Sequence, residues 1–288
     1  MSETTGIEWC DWTFNPWIGC TKVGLGCDNC YAEVSTPART LHINWGAKAT
    51  RHRTSAGIWA QPVKWEREHE AFQAKHGRRR RVFCASLADV FDNEAPAAWR
   101  VELFRLIADT PHLDWLLLTK RIGNAAEMIA ESVDSNDLPC WPWPNVWLGA
   151  TMVNQPEYDR DIGKLLRTPA AVRFLSIEPM LGAIDMRMGG ASMPTYSEHR
   201  PLPRLDWVIV GGESGQHARP MHPDWARSLR YQCDAAGVPF LFKQWGEWLP
   251  DNQNPAIKGP SGDTQAIRLG KKAAGRLLDG VEHNGYPA

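Results

Sequence analysis

The chain has 288 residues, of which 43% are hydrophobic and 23% charged, and its formal net charge is −1. This is ordinary globular composition, and the near-zero charge excludes a strongly basic surface that would bind nucleic acid by electrostatics alone. The sequence contains no run of about 18 apolar residues and does not start with a basic segment followed by an apolar one. We therefore expect neither a transmembrane helix nor a secretory signal, and we assign the protein to the cytoplasm.

Short apolar runs along the chain predict strands buried on both faces, because their apolar residues are consecutive and do not alternate with polar ones. A first strand is predicted at 11–19, and six further runs lie at 81–86, 114–119, 145–151, 172–177, 206–212 and 238–243. Helical patterns lie between the later runs, at 96–110, 121–133, 157–168 and 222–237. Alternating strands and helices are typical of a parallel sheet with right-handed crossovers. We therefore expect an α/β fold with parallel strands that form a full or partial β/α (TIM-like) barrel.

The predicted barrel does not account for the whole chain. We expect it to span 1–250, with an insertion at about 35–80 that is helical in part. The remainder, 251–288, begins as a loop rich in Pro, Gly and Asn and continues into a short helical pattern at 271–280. We expect this tail to pack on the barrel.

Polar and charged residues follow nearly every predicted strand: Asp89, Lys120, Arg121, Asn154, Glu178, Glu213 and Lys243. Chemistry in β/α barrels lies at the carboxyl ends of the strands, so these residues are candidates for one shared site. The alternative is the ordinary transition from a buried strand to a loop. Gly211 and Gly212 would let a flat or phosphorylated ligand approach the backbone, and Glu178 and Glu213 would suit acid/base chemistry.

The segment CTKVGLGCDNC at 20–30 contains Cys20, Cys27 and Cys30 with the spacing C-x6-C-x2-C. Thiols stay reduced in the cytoplasm, so clustered cysteines indicate metal binding or reactivity. Three thiolates suit a [4Fe–4S] cluster that keeps one iron open for a small molecule. In radical S-adenosylmethionine (SAM) enzymes that molecule is SAM, which one electron cleaves to a 5′-deoxyadenosyl radical. The first interval of six departs from the C-x3-C-x2-C spacing that is usual in those enzymes.

Two other interpretations of the three cysteines remain open. Zinc would take a fourth ligand from Cys10, His42 or His52. The thiols could also be free or redox-active. The remaining cysteines, Cys84, Cys140 and Cys233, lie in or near apolar runs, and we expect them to be buried small hydrophobic residues.

Four long segments give the chain a family resemblance: 5–33, 174–182, 207–225 and 239–248. They resemble the phage gp37/gp68-type family, also called the DUF5131 family, and the similarity covers nearly the whole chain. The resemblance implies a radical-SAM-like barrel with a C-x6-C-x2-C cluster loop. It also implies an occurrence in phages and prophages, and hence in the cytoplasm of a host cell.

The resemblance to radical SAM barrels also implies roles for individual residues. The cluster would be held by Cys20, Cys27 and Cys30. Residues implied to bind SAM are Ser86, Asp89, Lys120, Arg121, Thr151, Asn154, Ser176, Gly211 and Gly212, and those implied to be catalytic are Glu178, Glu213 and Lys243. Ser86 and Asp89 would contact the SAM amino group, and Thr151 and Asn154 the ribose. Lys120 and Arg121 would bind the SAM carboxylate or a substrate phosphate.

The phage-type resemblance favours a base in DNA as the substrate, and we expect modification or isomerisation of a hypermodified thymidine that is flipped out of the duplex. The arginine-rich run at 77–81 would contact phosphates, unless it is only a solvated loop, and some of the 15 Trp residues would stack on bases. Alternatives are a radical SAM enzyme acting on a peptide or small metabolite, and a non-catalytic zinc- or cluster-binding nucleic-acid module. A flavodoxin- or ferredoxin-type protein would supply the electron.

Overall fold

Parallel strands form the central element of the protein. Its structure is a computed structural model that describes residues 5–134, 138–187, 202–253 and 265–288. Its strands are β1 (Trp12–Phe14), β2 (Trp17–Ile18), β3 (His52–Arg53), β4 (Arg80–Cys84), β5 (Leu113–Thr119), β6 (Val146–Thr151), β7 (Val172–Ile177), β8 (Trp207–Gly211), β9 (Phe240–Gln244), β10 (Trp248–Pro250) and β11 (Ala266–Arg268). Seven of them form one sheet with the order β1-β4-β5-β6-β7-β8-β9. The predicted α/β fold with parallel strands is confirmed in its partial-barrel form.

Helices connect the strands of the sheet, as the alternating pattern predicts. They are α1 (Thr36–Thr40), α2 (Ala56–Trp59), α3 (Gln61–Arg67), α4 (His69–His76), α5 (Ala97–Ala108), α6 (Ile122–Val133), α7 (Gln155–Arg167), α8 (Pro223–Ala236) and α9 (Lys271–Ala274). Every residue of β4, β6 and β8 is buried, which explains why most of their residues are apolar. Among the described residues, no helix is both long enough and apolar enough to cross a membrane.

The strand predicted at 11–19 is two strands. Pro16 has no amide hydrogen to give to a sheet, so regular pairing stops after β1. β1 pairs in parallel with β4, whereas β2 pairs antiparallel with β3, which lies in the predicted insertion. The insertion is helical in part, since it contains α1 to α4.

Contacts divide the chain into two compact units. The first comprises residues 1–23, 32–150 and 168–172, and the second comprises residues 24–31, 151–167 and 173–288. Within the first unit β4 and β5 are in register from Arg80 opposite Leu113. Within the second unit β7 pairs with β8, and β8 with β9.

The arginine-rich run at 77–81 is paired inside the first unit. Arg78 donates from Nη1 and Nη2 to the Asp11 carboxylate, at 2.7 and 2.8 Å. Arg80 and Arg81 are the first residues of β4 and are buried. The expected phosphate contacts are therefore not available to these two arginines, whereas residues 77–79 form a loop before the strand, as the alternative predicted.

Two smaller predictions are also corrected, those for Cys140 and for the helical pattern at 271–280. Cys140 is exposed, although Cys84 and Cys233 are buried as expected. The described ranges include all 15 Trp residues, of which eight are buried and seven half-buried, so any ring that stacks on a base would belong to these seven. The helical pattern at 271–280 forms helix only to Ala274, because Gly275 adopts a positive φ of 70°. Residues 254–264 of the predicted tail loop lie outside the described residues.

Candidate functional site

A guanidinium group of the first unit contacts the first cysteine of the motif. Arg121 follows β5 by two residues, and its Nη1 lies 3.3 Å from the Sγ of Cys20. Its Nη2 donates to the carbonyl oxygen of Thr21 at 2.5 Å. Burial raises the pKa of the Cys20 thiol to about 12, and Arg121 opposes this effect. Burial therefore favours the protonated thiol of Cys20. Arg121 supplies a cation that stabilises the thiolate, which is the form required for metal binding.

Asp89 is buried, and donors of the first unit occupy its carboxylate. Oδ1 accepts from the Thr119 hydroxyl at 2.7 Å and from the Phe91 amide at 3.0 Å. Oδ2 accepts from the Lys120 amide at 3.0 Å and from Arg121 Nη1 at 3.1 Å. These four hydrogen bonds match the four acceptor positions of a carboxylate. A ligand ammonium at Asp89 would have to displace one of them.

Ser86 is joined to the end of the neighbouring strand in the first unit. Its Oγ lies 3.0 Å from Nδ2 of Asn15, which directly follows β1. Oδ1 of Asn15 accepts from the Leu87 amide at 2.7 Å. Asn15 was not among the predicted site residues, although the Asn–Pro dipeptide at 15–16 is a signal for the end of a strand.

A second arginine that the sequence analysis missed supports the residue next to Cys20. Arg51 Nε lies 2.7 Å from Oδ2 of Asp92, and both side chains are almost fully buried. Nη2 of Arg51 donates to the Thr21 hydroxyl at 2.7 Å. Arg51 lies in the insertion, where no periodic pattern marks it, so only its contacts reveal its connection to the cysteine motif.

In the second unit, an ion pair between the buried Glu213 and the half-buried Arg219 follows the end of β8. Oε2 of Glu213 accepts from the backbone amide and the Nε of Arg219, both at 2.8 Å, and Oε1 accepts from Nη2 at 2.7 Å. Burial alone would raise the pKa of Glu213, but the hydrogen bonds from Arg219 and Asn29 hold it below its usual value. Glu213 is therefore an ionised group committed to these donors.

The same ion pair holds the segment that carries Cys27 and Cys30. Arg219 donates from Nη1 to Asp28 at 3.0 Å and from Nη2 to the Leu25 carbonyl at 2.9 Å. Nδ2 of Asn29 donates to Glu213 at 3.1 Å. Glu213 was among the predicted site residues, but Arg219 and Asn29 were not, because no local sequence pattern links Asn29 to positions so far along the chain.

Glu178 and Lys243 form a half-buried ion pair in the second unit. Nζ of Lys243 lies 3.1 Å from Oε1 and 3.3 Å from Oε2 of Glu178. Gly211 allows this arrangement, because a Cβ at that position would lie 2.4 Å from Oε1 of Glu178. The structure thus brings together two of the three residues predicted to be catalytic.

The glycine at 212 serves close packing of the backbone. A Cβ on Gly212 would lie 1.9 Å from the carbonyl oxygen of Trp245, and a Cβ on Gly246 would lie 2.1 Å from the carbonyl oxygen of Glu213. The loops that follow β8 and β9 therefore touch through their main chains. Packing within the chain is enough to explain both glycines.

Thr151 and Asn154, which are predicted to contact ribose, and Ser176, which is predicted to bind SAM, differ in the hydrogen bonds of their side chains. Thr151, the last residue of β6, is buried, and its hydroxyl has no hydrogen-bond partner. Oδ1 of Asn154 accepts from the Glu157 amide at 3.0 Å, which caps the start of α7. Ser176 is buried inside β7. Of these three residues, Thr151 is the one whose buried hydroxyl would gain a hydrogen bond from a ligand.

The cysteines are unbridged, and among the described residues no cluster of candidate zinc ligands includes them. Cys20, Cys27 and Cys30 are all free thiols. Within the described ranges, one group of three His, Cys, Asp or Glu residues has candidate ligand atoms within 4.8 Å of one another, and it comprises Glu66, His69 and His112. The predicted zinc ligands Cys10, His42 and His52 do not belong to it.

Comparison with known proteins identifies the family but no characterised relative. A family profile described as "Protein of unknown function (DUF5131)" matches residues 4–287. A search of curated proteins and a search of solved structures found no significant match. Since the profile spans nearly the whole chain, this protein belongs to the DUF5131 family.

Proposed function

We propose that this protein is a radical SAM enzyme whose [4Fe–4S] cluster is held by Cys20, Cys27 and Cys30. The observation that carries the proposal is that charged networks at strand carboxyl ends hold each part of the cysteine motif. Arg121 contacts Cys20 in the first unit, and Glu213 anchors the segment with the other two cysteines in the second. Chemistry in β/α barrels lies at these strand ends, and three free thiols fit a cluster with one open iron.

The bound cluster would supply one electron to cleave a C–S bond of SAM and yield a 5′-deoxyadenosyl radical. The protein's residues would bind and orient the cofactor. The buried, unpartnered hydroxyl of Thr151 supports a polar ligand group at the end of β6. We keep Lys120 and Arg121 as candidates for the SAM carboxylate, because they place positive charge after β5.

The contacts separate the roles of the residues that the sequence predicts to be catalytic. Glu178 and Lys243 are candidates for proton transfer, because a carboxylate and an ammonium 3.1 Å apart can hold and exchange a proton near a substrate. We assign Glu213 a positioning role instead, since Arg219 and Asn29 already occupy its carboxylate.

The substrate class is a separate part of the proposal. Besides the phage-type resemblance, two features favoured DNA, namely the arginine-rich run and Trp residues available for stacking. Arg80 and Arg81 are buried, Arg78 is paired with Asp11, and no Trp is exposed. These observations favour the alternative of a peptide or small metabolite over modification of a thymidine in duplex DNA.

Anaerobic reconstitution tests the cofactor assignment. We expect about four irons and four sulfides per chain, together with 5′-deoxyadenosine, detected by mass spectrometry, after addition of SAM and dithionite. Replacement of any cysteine of the motif by Ala should abolish all three signals, and Cys140→Ala, at an exposed cysteine outside the motif, is the matched control. Stoichiometric zinc without iron in the anaerobically purified protein would overturn the assignment.

Substrate is tested with the reconstituted enzyme. Parallel reactions contain phage-derived DNA or a fraction of peptides and small metabolites, and products are analysed by mass spectrometry. A mass change confined to the second reaction is the expected result. A modified nucleoside in the first would restore the DNA prediction.

A further inference from the structure

We propose that Glu66, His69 and His112 form a binding site for a divalent transition-metal ion, with zinc as the first choice. Glu66 lies on α3, His69 begins α4, and His112 directly precedes β5. One candidate ligand atom of each residue lies within 4.8 Å of those of the other two. The two imidazole rings are stacked, with centroids 3.9 Å apart and an angle of 12° between their planes.

The hydrogen bond of His69 leaves its other ring nitrogen available for a metal ion. Nδ1 of His69 lies 2.7 Å from the carbonyl oxygen of Glu66. A carbonyl oxygen only accepts, so Nδ1 carries the proton and the Nε2 of the neutral ring has a free lone pair. Metal-binding histidines usually donate their second N–H to a carbonyl or a carboxylate in this way.

The Glu66 carboxylate and the His112 ring face each other closely enough for one metal ion to take the place of their hydrogen bond. Nδ1 of His112 lies 2.5 Å from Oε1 of Glu66, and the His112 amide donates to Oε2 at 3.2 Å. Tetrahedral zinc holds such ligand atoms about 3.3 Å apart, since each bond is about 2.0–2.1 Å long. The His112 side chain is 47% exposed, so it has room to adjust and an ion can reach it from solvent.

The donor set selects the class of metal. Two imidazoles and one carboxylate suit zinc, cobalt or nickel, whereas magnesium and calcium prefer oxygen ligands alone. Three protein ligands leave the fourth position to water. The site contains no thiolate, so its chemistry differs from that of the cysteine motif.

The location indicates a structural role within the first unit. His112 precedes the amino end of β5, whereas Arg121, which contacts Cys20, follows its carboxyl end. The amino-terminal face of a β/α barrel serves stability, while its carboxyl face carries catalysis. A metal ion held here would fasten the helices that carry Glu66 and His69 to the start of β5.

Zinc binding is tested in a tag-free variant with Cys20, Cys27 and Cys30 replaced by Ser, so that the motif takes up no metal. Equilibrium dialysis should give one zinc per chain, and cobalt should give visible d–d bands without thiolate charge-transfer absorption. His69→Ala and His112→Ala should each weaken zinc binding at least tenfold. His76→Ala is the matched control, because His76 is an exposed histidine of the same helix α4.

Zinc should also raise the melting temperature of this variant but not that of its His69→Ala and His112→Ala derivatives. If the variant without the three motif cysteines does not fold, the cobalt spectrum of the wild-type protein separates the two kinds of site, because only thiolate ligation adds charge-transfer bands. Zinc binding that is absent, or that survives both histidine substitutions, would overturn the proposal.

Discussion

Arg121 approaches Cys20 with Nη1 3.3 Å from the cysteine sulfur, and the same nitrogen lies 3.1 Å from Oδ2 of Asp89. The guanidinium group thus joins a buried carboxylate to a candidate cluster ligand. Its planar fork allows contacts with both groups and with the Thr21 carbonyl at once. Through this network, the residues that follow β5 contact the first two residues of the cysteine motif.

If the three motif cysteines hold the proposed cluster, Arg121→Lys should leave its iron content unchanged and lower its reduction potential. Lysine retains the charge and loses the fork, so the N–H···S contact with Cys20 is weakened. Hydrogen bonds to cluster sulfurs contribute to the potential, and we expect a shift on the order of tens of millivolts. A redox titration followed by electron paramagnetic resonance measures it, with Arg53→Lys as the control. An unchanged potential would show that the contact is lost in the loaded protein.

Asp89→Asn should lower the free energy of unfolding by about 3 kcal/mol, because it removes the nearer carboxylate of the buried Arg121 and leaves Asp92, at 3.7 Å, as its remaining ion-pair partner. Urea unfolding measures the change, and Asp134→Asn, at an exposed site, is the control. If stability were unchanged and SAM affinity fell about 10- to 150-fold, as expected for loss of a charged hydrogen bond, Asp89 would bind the ligand directly.

Glu213→Gln should loosen the segment between Leu25 and Asn29. Loss of a hydrogen bond to a charged group costs about 1.5–3 kcal/mol, so amide exchange there should be about 10- to 150-fold faster, and reconstituted iron content should fall. Hydrogen exchange with mass spectrometry measures the first effect. Glu247→Gln is the matched control, since Glu247 accepts from the Gly215 amide at 3.1 Å. Equal exchange in both variants would argue against the positioning role.

Asp279 should contribute to stability in a defined pH window. Its hydrogen bonds with Arg227 lower its pKa from 3.8 to about 2. The pKa of Asp279 is lower in the folded than in the unfolded chain, so the unfolded chain binds more protons between about pH 4 and pH 2. The stabilising contribution of Asp279 is therefore present above about pH 4 and lost as the pH falls towards about 2. The stability difference between wild type and Asp279→Asn should shrink over this window in urea unfolding from pH 5 to pH 2. A constant difference would contradict the assignment.

The strands and most helices could be predicted from the sequence because their signals are local. Consecutive apolar residues mark strands buried on both faces, and the run at 145–151 contains β6 in full. Where a local signal misled, a neighbouring element overrode it. Arg80 and Arg81 look like part of a solvated basic run, yet pairing with the next strand draws them into β4.

The sequence alone determined the parallel α/β fold, the family membership and the positions of the three motif cysteines. Only the tertiary structure decided which side chains support those cysteines. Arg121 is 101 positions from Cys20, and Asn29 is 184 positions from Glu213, so no window of sequence contains both members of either contact. Strand and helix periodicity encodes which face of an element is buried, but a hydrogen bond depends on where two loops meet after folding, and that is set by the packing of the whole unit.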